Sequence, residues 1–161
     1  MTTIIDANVL IALFKKTTVD DDRVRINGMI AEAKAARSRI IIPSPALSEF
    51  AAKAHQNELD FIFGNKFFQI ASFDAKAAIV CGDMLRSWAA GLADEKKDRH
   101  KAKFDMQILS IAKSIGAIRL ITSDNALRAK AGREKINSIG IRDLPIPDAA
   151  KQQKIQFDPV D

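Results

Sequence analysis

Ile4-Ile5-Asp6-Ala7-Asn8-Val9-Leu10-Ile11-Ala12-Leu13-Phe14 reads as a short apolar strand stopped by an acid, then an apolar segment long enough for a buried helix. Strand-then-helix alternation recurs downstream. Asp20-Asp21-Asp22 put acid where a helix start favours it, and Val24, Met29, Ile30 and Ala33 give that helix an apolar face through to Arg37. Arg39-Ile40-Ile41-Ile42 is a second buried strand closed by Pro43. Pro45 falls in the first turn of the next helix, whose stripe is Leu47, Phe50, Ala51 and Ala54. A short helix within 57–66 ends at Gly64-Asn65, and Phe67 to Ala71 is a third strand. Asp74 opens a long helix with Ala77, Val80, Cys81, Met84, Leu85 and Trp88 at helical spacing, ending near Gly91. A charged loop leads to a helix over 102–115, with Phe104, Ile108, Ile111 and Ile115 on one face and Gly116 as its stop. Ala117 to Thr122 is a fourth strand, Asn125 to Ala131 a helix closed by Gly132, and Ile139-Gly140-Ile141 a short fifth strand. Continuous apolar strands alternating with helices predict an α/β fold, three layers deep, with a mainly parallel central sheet of four to five strands. Residues 1–145 are expected to form one domain and 146–161 a surface tail.

The chain's 161 residues fit one domain, and a 47% hydrophobic content is enough for a core and too much for a disordered tail. No stretch approaches the ~18 consecutive apolar residues of a membrane span. Met1-Thr2-Thr3 runs straight into a strand-like segment with no basic leader, so a cytoplasmic protein without a secretory signal is expected. The single cysteine, Cys81, excludes an internal disulfide, and the two histidines, His55 and His100, stand at no metal-ligand spacing with it or each other. Lys and Arg number 25 against 20 Asp and Glu, a formal +5 that suits a polyanionic partner and also ordinary solubility. The basic residues crowd into Lys96, Lys97, Arg99, Lys101 and Lys103, and into Arg128, Lys130, Arg133 and Lys135; each group reads equally as a solvated face or as a polyanion contact.

In parallel sheets, ligands sit outside the carboxyl ends of the strands. Asp6 follows the first strand and Asp124 follows the fourth by two residues. Glu49 lies in the early turns of the helix after the second strand, and Asp105 near the start of the helix that leads into the fourth. A helix connecting parallel strands runs opposite to them, so all four acids are expected at one rim. Each also has a plain reading: Asp6 and Asp124 as helix caps, Glu49 as a solvent-facing residue, Asp105 as a partner for the helix dipole. Asp83 and Asp94 read as solvated helix positions. Convergence tips the balance, because clustered carboxylates repel one another, and with no base within three positions of Asp6 or Asp124 such a rim needs a cation. An all-oxygen donor set selects Mg²⁺ or Mn²⁺ over zinc, and their usual work is phosphate chemistry.

These residues resemble the PIN-domain nucleases, and within them the small prokaryotic toxins of VapC type. The resemblance is carried by Ile5-Asp6-Ala7-Asn8-Val9-Leu10, Pro43-Ser44-Pro45-Ala46-Leu47-Ser48-Glu49-Phe50, Ser72-Phe73-Asp74-Ala75, Asp105 leading its apolar helix, and Leu120-Ile121-Thr122-Ser123-Asp124, in that order over about residues 3 to 143. It implies a PIN-like fold in which Asp6, Glu49, Asp105 and Asp124 hold one or two Mg²⁺ or Mn²⁺ ions, supported by Asn8, Thr122 and Ser123. It further implies hydrolysis of RNA to 5′-phosphate and 3′-hydroxyl ends, an antitoxin partner and pairing as a homodimer. Lys97, Arg99, Lys101 and Lys103 would steer the RNA backbone. Two features depart from the compact toxins: a longer stretch between the Glu49 helix and Asp74, and a tail after residue 143.

Two rivals come from other classes. One is a catalytically silent RNA- or protein-binding module on the same fold, which metal titration separates from a nuclease. The other is a phosphoryl-transfer domain, which wants paired acids or Asp-x-Asp after the first strand, whereas this chain has Asp6-Ala7-Asn8. Phosphate-binding glycine loops and the nucleophile-elbow serine motif are absent from the sequence.

Overall fold

The computed structural model describes residues 2–88 and 99–153, without the side chains of 99–101 and 152–153. The first strand, β1 (Thr2–Ile5), feeds α1 (Ala7–Phe14) and α2 (Asp20–Ala35), and β2 (Arg39–Pro43) feeds α3 (Ser44–Ala51) and α4 (Gln56–Gly64). Next come β3 (Phe68–Ala71), α5 (Ala75–Trp88), α6 (Arg99–Ser114), β4 (Arg119–Ile121) and α7 (Asn125–Arg133). β5 (Ser138–Ile139), a 3₁₀ turn (Ile141–Asp143) and α8 (Asp148–Gln153) follow. The five strands form one sheet in the order β3-β2-β1-β4-β5, and every pairing is parallel. The α/β reading of the sequence holds.

Alternation along the strands sorts their side chains onto two faces. Ile4, Ile41 and Leu120 pack with Ala77, Cys81 and Met84 of α5, Leu109 and Ile111 of α6, and Leu127 and Ala131 of α7. Their strand neighbours Ile5, Ile40, Ile42 and Ile121 pack on the other face with Val9 and Leu10 of α1, Ile26, Met29 and Ile30 of α2, and Ile62 of α4. Helices thus cover both faces of a sheet whose strands are apolar throughout, as burial on two sides requires. α3 contributes Ala46 to the first cluster and Phe50 to the second, so it lies across the carboxyl edge of the sheet.

Several sequence expectations shift by a turn. α6 begins at Arg99, before the expected 102, which places Asp105 in its second turn. Only Ile108 and Ile111 of its expected apolar face are buried; Phe104 and Ile115 are 43% and 40% exposed. α7 runs through Gly132 to Arg133, and the reversal falls at Lys135, whose φ of 58° takes the left-handed role expected of the glycine. Gly116 does adopt a positive φ, 62°, after α6. Pro147 packs on Gly28 of α2 so closely that an added Cβ there would stand 2.5 Å from its ring. Among the described residues no helix is long and apolar enough to cross a membrane.

Leu120 is fully buried at the centre of the first cluster. Leu120→Ala should lower unfolding free energy by about 2–5 kcal/mol, the range for an unfilled core cavity. Urea denaturation measures it, and a loss below about 1 kcal/mol would show that this face can collapse around the change.

Candidate active site

Because all strands are parallel, their carboxyl ends share one edge, and there the chain turns from β1 into α1 at Asp6 and from β4 toward α7 at Thr122-Ser123-Asp124. The Asp6 amide still donates to Ile121 O (3.1 Å), extending the β1–β4 ladder by one rung and fixing the two turns side by side. A cavity of about 640 Å³ opens at this edge, lined by Asp6, Asn8, Ser48, Glu49, Ala52, Phe104, Asp105, Ile108 and Asp124. The four acids expected at one rim therefore border one cavity, each from a different element.

Asp6 is held most tightly. Its Oδ1 accepts from the Ala7 amide (2.7 Å), so it caps α1, and its Oδ2 accepts from Asn8 Nδ2 (2.7 Å) and the Thr122 hydroxyl (2.9 Å). Thr122, fully buried, in turn accepts from Asn8 Nδ2 (2.9 Å) and the Asp124 amide (3.0 Å), while Asn8 Oδ1 accepts from the Ser123 amide (3.0 Å). Asn8 and Thr122 thus lock the turn after β1 to the turn after β4. Ser123 contributes its backbone amide, and its residue is exposed. Asp124 caps α7 by accepting from the Ala126 (2.8 Å) and Leu127 (3.1 Å) amides through Oδ1. Both cap readings are correct, and both caps also face the cavity.

Asp6 is only 6% exposed. Burial pushes its carboxyl from 3.8 up to about 6; the Ala7 and Thr122 hydrogen bonds oppose the rise, and the negative charges of Glu49 and Asp105 add to it. Glu49, on α3, is exposed and makes no hydrogen bond or ion pair among the described residues. Asp105 is buried on α6, and there the sequence expectation of an uncompensated acid rim needs correction: Lys130 Nζ donates to Asp105 Oδ2 at 2.9 Å, with both side chains buried. The pair spans 25 positions, so no search near Asp6 or Asp124 would find it. Its one sequence signal is the placement of Lys130 on the inward stripe of α7, between buried Leu127 and Ala131.

The remaining basic residues divide. Arg128 pairs with Asp143 (3.3 Å) and Arg133 lies over the Trp88 ring (5.3 Å), so neither is a bare solvated charge. Lys103 is exposed on α6. Lys96, Lys97 and Asp94, and the side chains of Arg99 and Lys101, lie outside the described residues. Asp83 is exposed and paired with Arg86. Cys81 and Met84 are core residues, and Trp88 Nε1 donates to Glu134 (2.6 Å). Phe104, Ser48 and Ala52 border the cavity without having been singled out for it from sequence.

A lining with four carboxylates and, among the described residues, no histidine or cysteine fits a hard divalent cation in its donor chemistry. Among the described residues, no three of these side chains stand close enough to form a ready-made ligand cage. The fit is one of kind rather than of preformed geometry.

The raised Asp6 value has a measurable consequence. The folded protein holds this proton more tightly than the unfolded one, so the group's contribution to stability falls as pH rises from about 4 to about 6. Asp6→Asn cannot titrate. In chelator, the stability of the Asn variant relative to wild type should therefore improve by about 2 kcal/mol between pH 4 and pH 7. Any offset from the altered hydrogen bonds is common to both pH values. Urea denaturation of both proteins at each pH tests this, and a pH-independent difference would mean that Asp6 ionises like an exposed aspartate.

A PIN domain family model matches residues 3–133. No curated protein matches the chain significantly. In fold it is similar to a chain of the crystal structure of VapBC2 from Rickettsia felis bound to a DNA fragment from their promoter, with a TM-score of 0.61 and 19% identity over 87% of this chain and 98% of that one. A chain of the DNA-bound VapBC crystal structure from Salmonella typhimurium gives a TM-score of 0.58 and 19% identity, over 88% of this chain and 98% of that one. At that identity the two structures bear on the fold alone, whereas the family model covers most of the sequence from β1 to the end of α7: the chain belongs to the PIN-domain family.

Proposed function

We propose that this protein is a metal-dependent endoribonuclease and the toxin of a toxin–antitoxin pair. The observation that carries the reading is the gathering of Asp6, Glu49, Asp105 and Asp124, from four separate elements, onto one cavity at the carboxyl edge of a parallel sheet. Membership of the PIN family supports nuclease chemistry, and the likeness to chains from VapBC assemblies supports an antitoxin protein as partner.

Asp6, Glu49, Asp105 and Asp124 would hold Mg²⁺ or Mn²⁺. When bound there, such an ion supplies an acidified water and charge compensation at a scissile phosphate. The chain's own contribution is orientation. Three donors fix both oxygens of Asp6, so its carboxylate is set before substrate arrives, and two α7 amides fix Asp124 Oδ1. Glu49, exposed on the rim, is the acid with room to orient the attacking water or complete the ligand shell. Lys103, two residues before Asp105 and exposed on α6, offers a charge to the backbone of a single-stranded or looped RNA.

The Lys130–Asp105 pair and the lack of a ready-made cage among the described residues favour a second reading, a silent RNA- or protein-binding module. Activity decides between them. Cleavage of a labelled single-stranded RNA should require Mg²⁺ or Mn²⁺, stop in EDTA and not return with Zn²⁺ alone. Asp124→Asn should lower the rate at least about 100-fold while scarcely changing the melting temperature, because Asn caps a helix as well as Asp does. Undiminished cleavage in excess chelator would sink the nuclease mechanism; RNA binding without cleavage under every metal would select the silent module. Separately, Lys103→Ala should reduce the salt slope of RNA binding by about 1, and an unchanged slope would return Lys103 to a plain solvated face.

A further inference from the structure

Lys130 sits where an apolar residue would be expected. It lies on the stripe of α7 that buries Leu127 and Ala131, and its ammonium reaches Asp105 on α6 at 2.9 Å. The side chains of Lys130 and Asp105 are only 11% and 7% exposed. A buried ion pair is seldom worth more than apolar side chains of the same volume, so stability alone gives little reason for a lysine here. Its surroundings give a better one. Asp105 shares its cavity with Asp6, Glu49 and Asp124, and the negative charges of Asp105 and Glu49 already raise the Asp6 carboxyl. With all four acids ionised, Lys130 offsets one of their four negative charges.

We propose that Lys130 is a built-in counter-cation of the carboxylate cavity: it neutralises Asp105 in the metal-free protein and weakens the hold of the site on divalent ions. The inference rests on the reading of the four acids as a metal site, and it adds a residue that acts on that site through Asp105. Lys130 is a positioning and charge-setting residue. α7 then carries both signs to the cavity, with Asp124 at its N-terminal cap and Lys130 on its buried face two turns later. Any divalent ion approaching Asp105 must bind against the ammonium or turn it aside. A metal-free protein stabilised in this way tolerates loss of the ion, and an ion held against a nearby positive charge exchanges readily.

Lys130→Gln keeps an N–H donor for Asp105 and removes the charge. Lys130→Arg keeps the charge. Mn²⁺ titration calorimetry on the full chain at neutral pH should show Lys130→Gln binding roughly tenfold tighter than wild type, as removal of one nearby positive charge predicts. Lys130→Arg should stay within about threefold of wild type. In chelator Lys130→Gln should melt below wild type, yet Mn²⁺ should raise its melting temperature by more. A merely structural lysine would lower the melting temperature without tightening Mn²⁺. Equal or weaker Mn²⁺ binding by Lys130→Gln overturns the proposal. Should that variant not fold, a tenfold change in the Mn²⁺ affinity of Lys130→Arg overturns it, and an unchanged affinity supports charge as the controlling property. Asp6→Asn separates the two levels of inference. If wild type binds Mn²⁺ and Asp6→Asn does not, while Lys130→Gln is no tighter than wild type, only the role of Lys130 falls. If wild type itself binds no Mn²⁺, the metal-site reading falls and this inference with it.

Discussion

A carboxylate buried at the end of the central strand is costly unless its oxygens are satisfied, and most of the architecture around Asp6 answers that requirement. Its donors are the first amide of α1, the Asn8 side-chain amide two residues on, and the Thr122 hydroxyl from the turn after β4, 116 positions away. The Thr122 hydroxyl can serve Asp6 only because β1 and β4 are paired in a register that sets Ile5 beside Ile121. Three hydrogen bonds still do not remove the penalty of burial, since the Asp6 carboxyl remains raised to about 6. Asp6 is therefore left with a cost of burial that its hydrogen bonds do not cover. That cost, more than the presence of any one acid, is what a cation bound at this edge of the sheet would relieve.

The cap and the ligand readings of Asp6 and Asp124 look like alternatives in the sequence, but the two are compatible, because both capping acids border the cavity. A helix that begins directly after a parallel strand presents its first amides at the carboxyl edge, and an acid there satisfies them. Capping fixes the side chain without a dedicated supporting shell, and it gives up only part of the carboxylate's capacity to accept. Asp74 shows the same local arrangement without the site: its Oδ1 accepts from the Ala77 amide (2.8 Å) at the start of α5, and it does not border the cavity. Capping alone thus identifies no functional residue. Position relative to β1 and β4 is what sets Asp6 and Asp124 on the cavity and Asp74 away from it.

Elements with strong periodicity were legible in the chain because one interaction, burial, decides them. The parallel strands read as continuous apolar runs, and the four acids could be placed at one edge from strand direction alone. What escaped the sequence depended on pairs remote along the chain. Lys130 reads as one member of a basic run, and only packing of α7 against α6 turns it toward Asp105. Phe104 repeats at helical spacing with Ile108 and Ile111, yet the cavity opens beside it, and the ring becomes part of the wall. The stop of α7 was misplaced for a different reason. A glycine is sufficient for a left-handed turn but not necessary, and Lys135 takes that conformation two residues beyond the end of the helix.

The location of the cavity follows from the order of the strands. From β1 the chain builds outward through β2 to β3 on one side, then returns past β1 to place β4 and β5 on the other. The helix that leaves β1 packs its Val9 and Leu10 onto one face of the sheet, and the helix that follows β4 packs its Leu127 and Ala131 onto the opposite face. Two adjacent parallel strands whose outgoing helices diverge to opposite faces must leave a crevice between them at their carboxyl ends. Asp6 and Asp124 are the last residues before those two helices, so the divergence itself sets them on either lip. α3, with one buried residue in each core cluster, lies over the same edge and brings Glu49 to it, while α6 supplies Asp105 from the α5–α7 face. Loops of any composition could join these elements and the crevice would persist. Its chemistry is then set by the few side chains at the helix starts and by the one lysine that α7 turns inward.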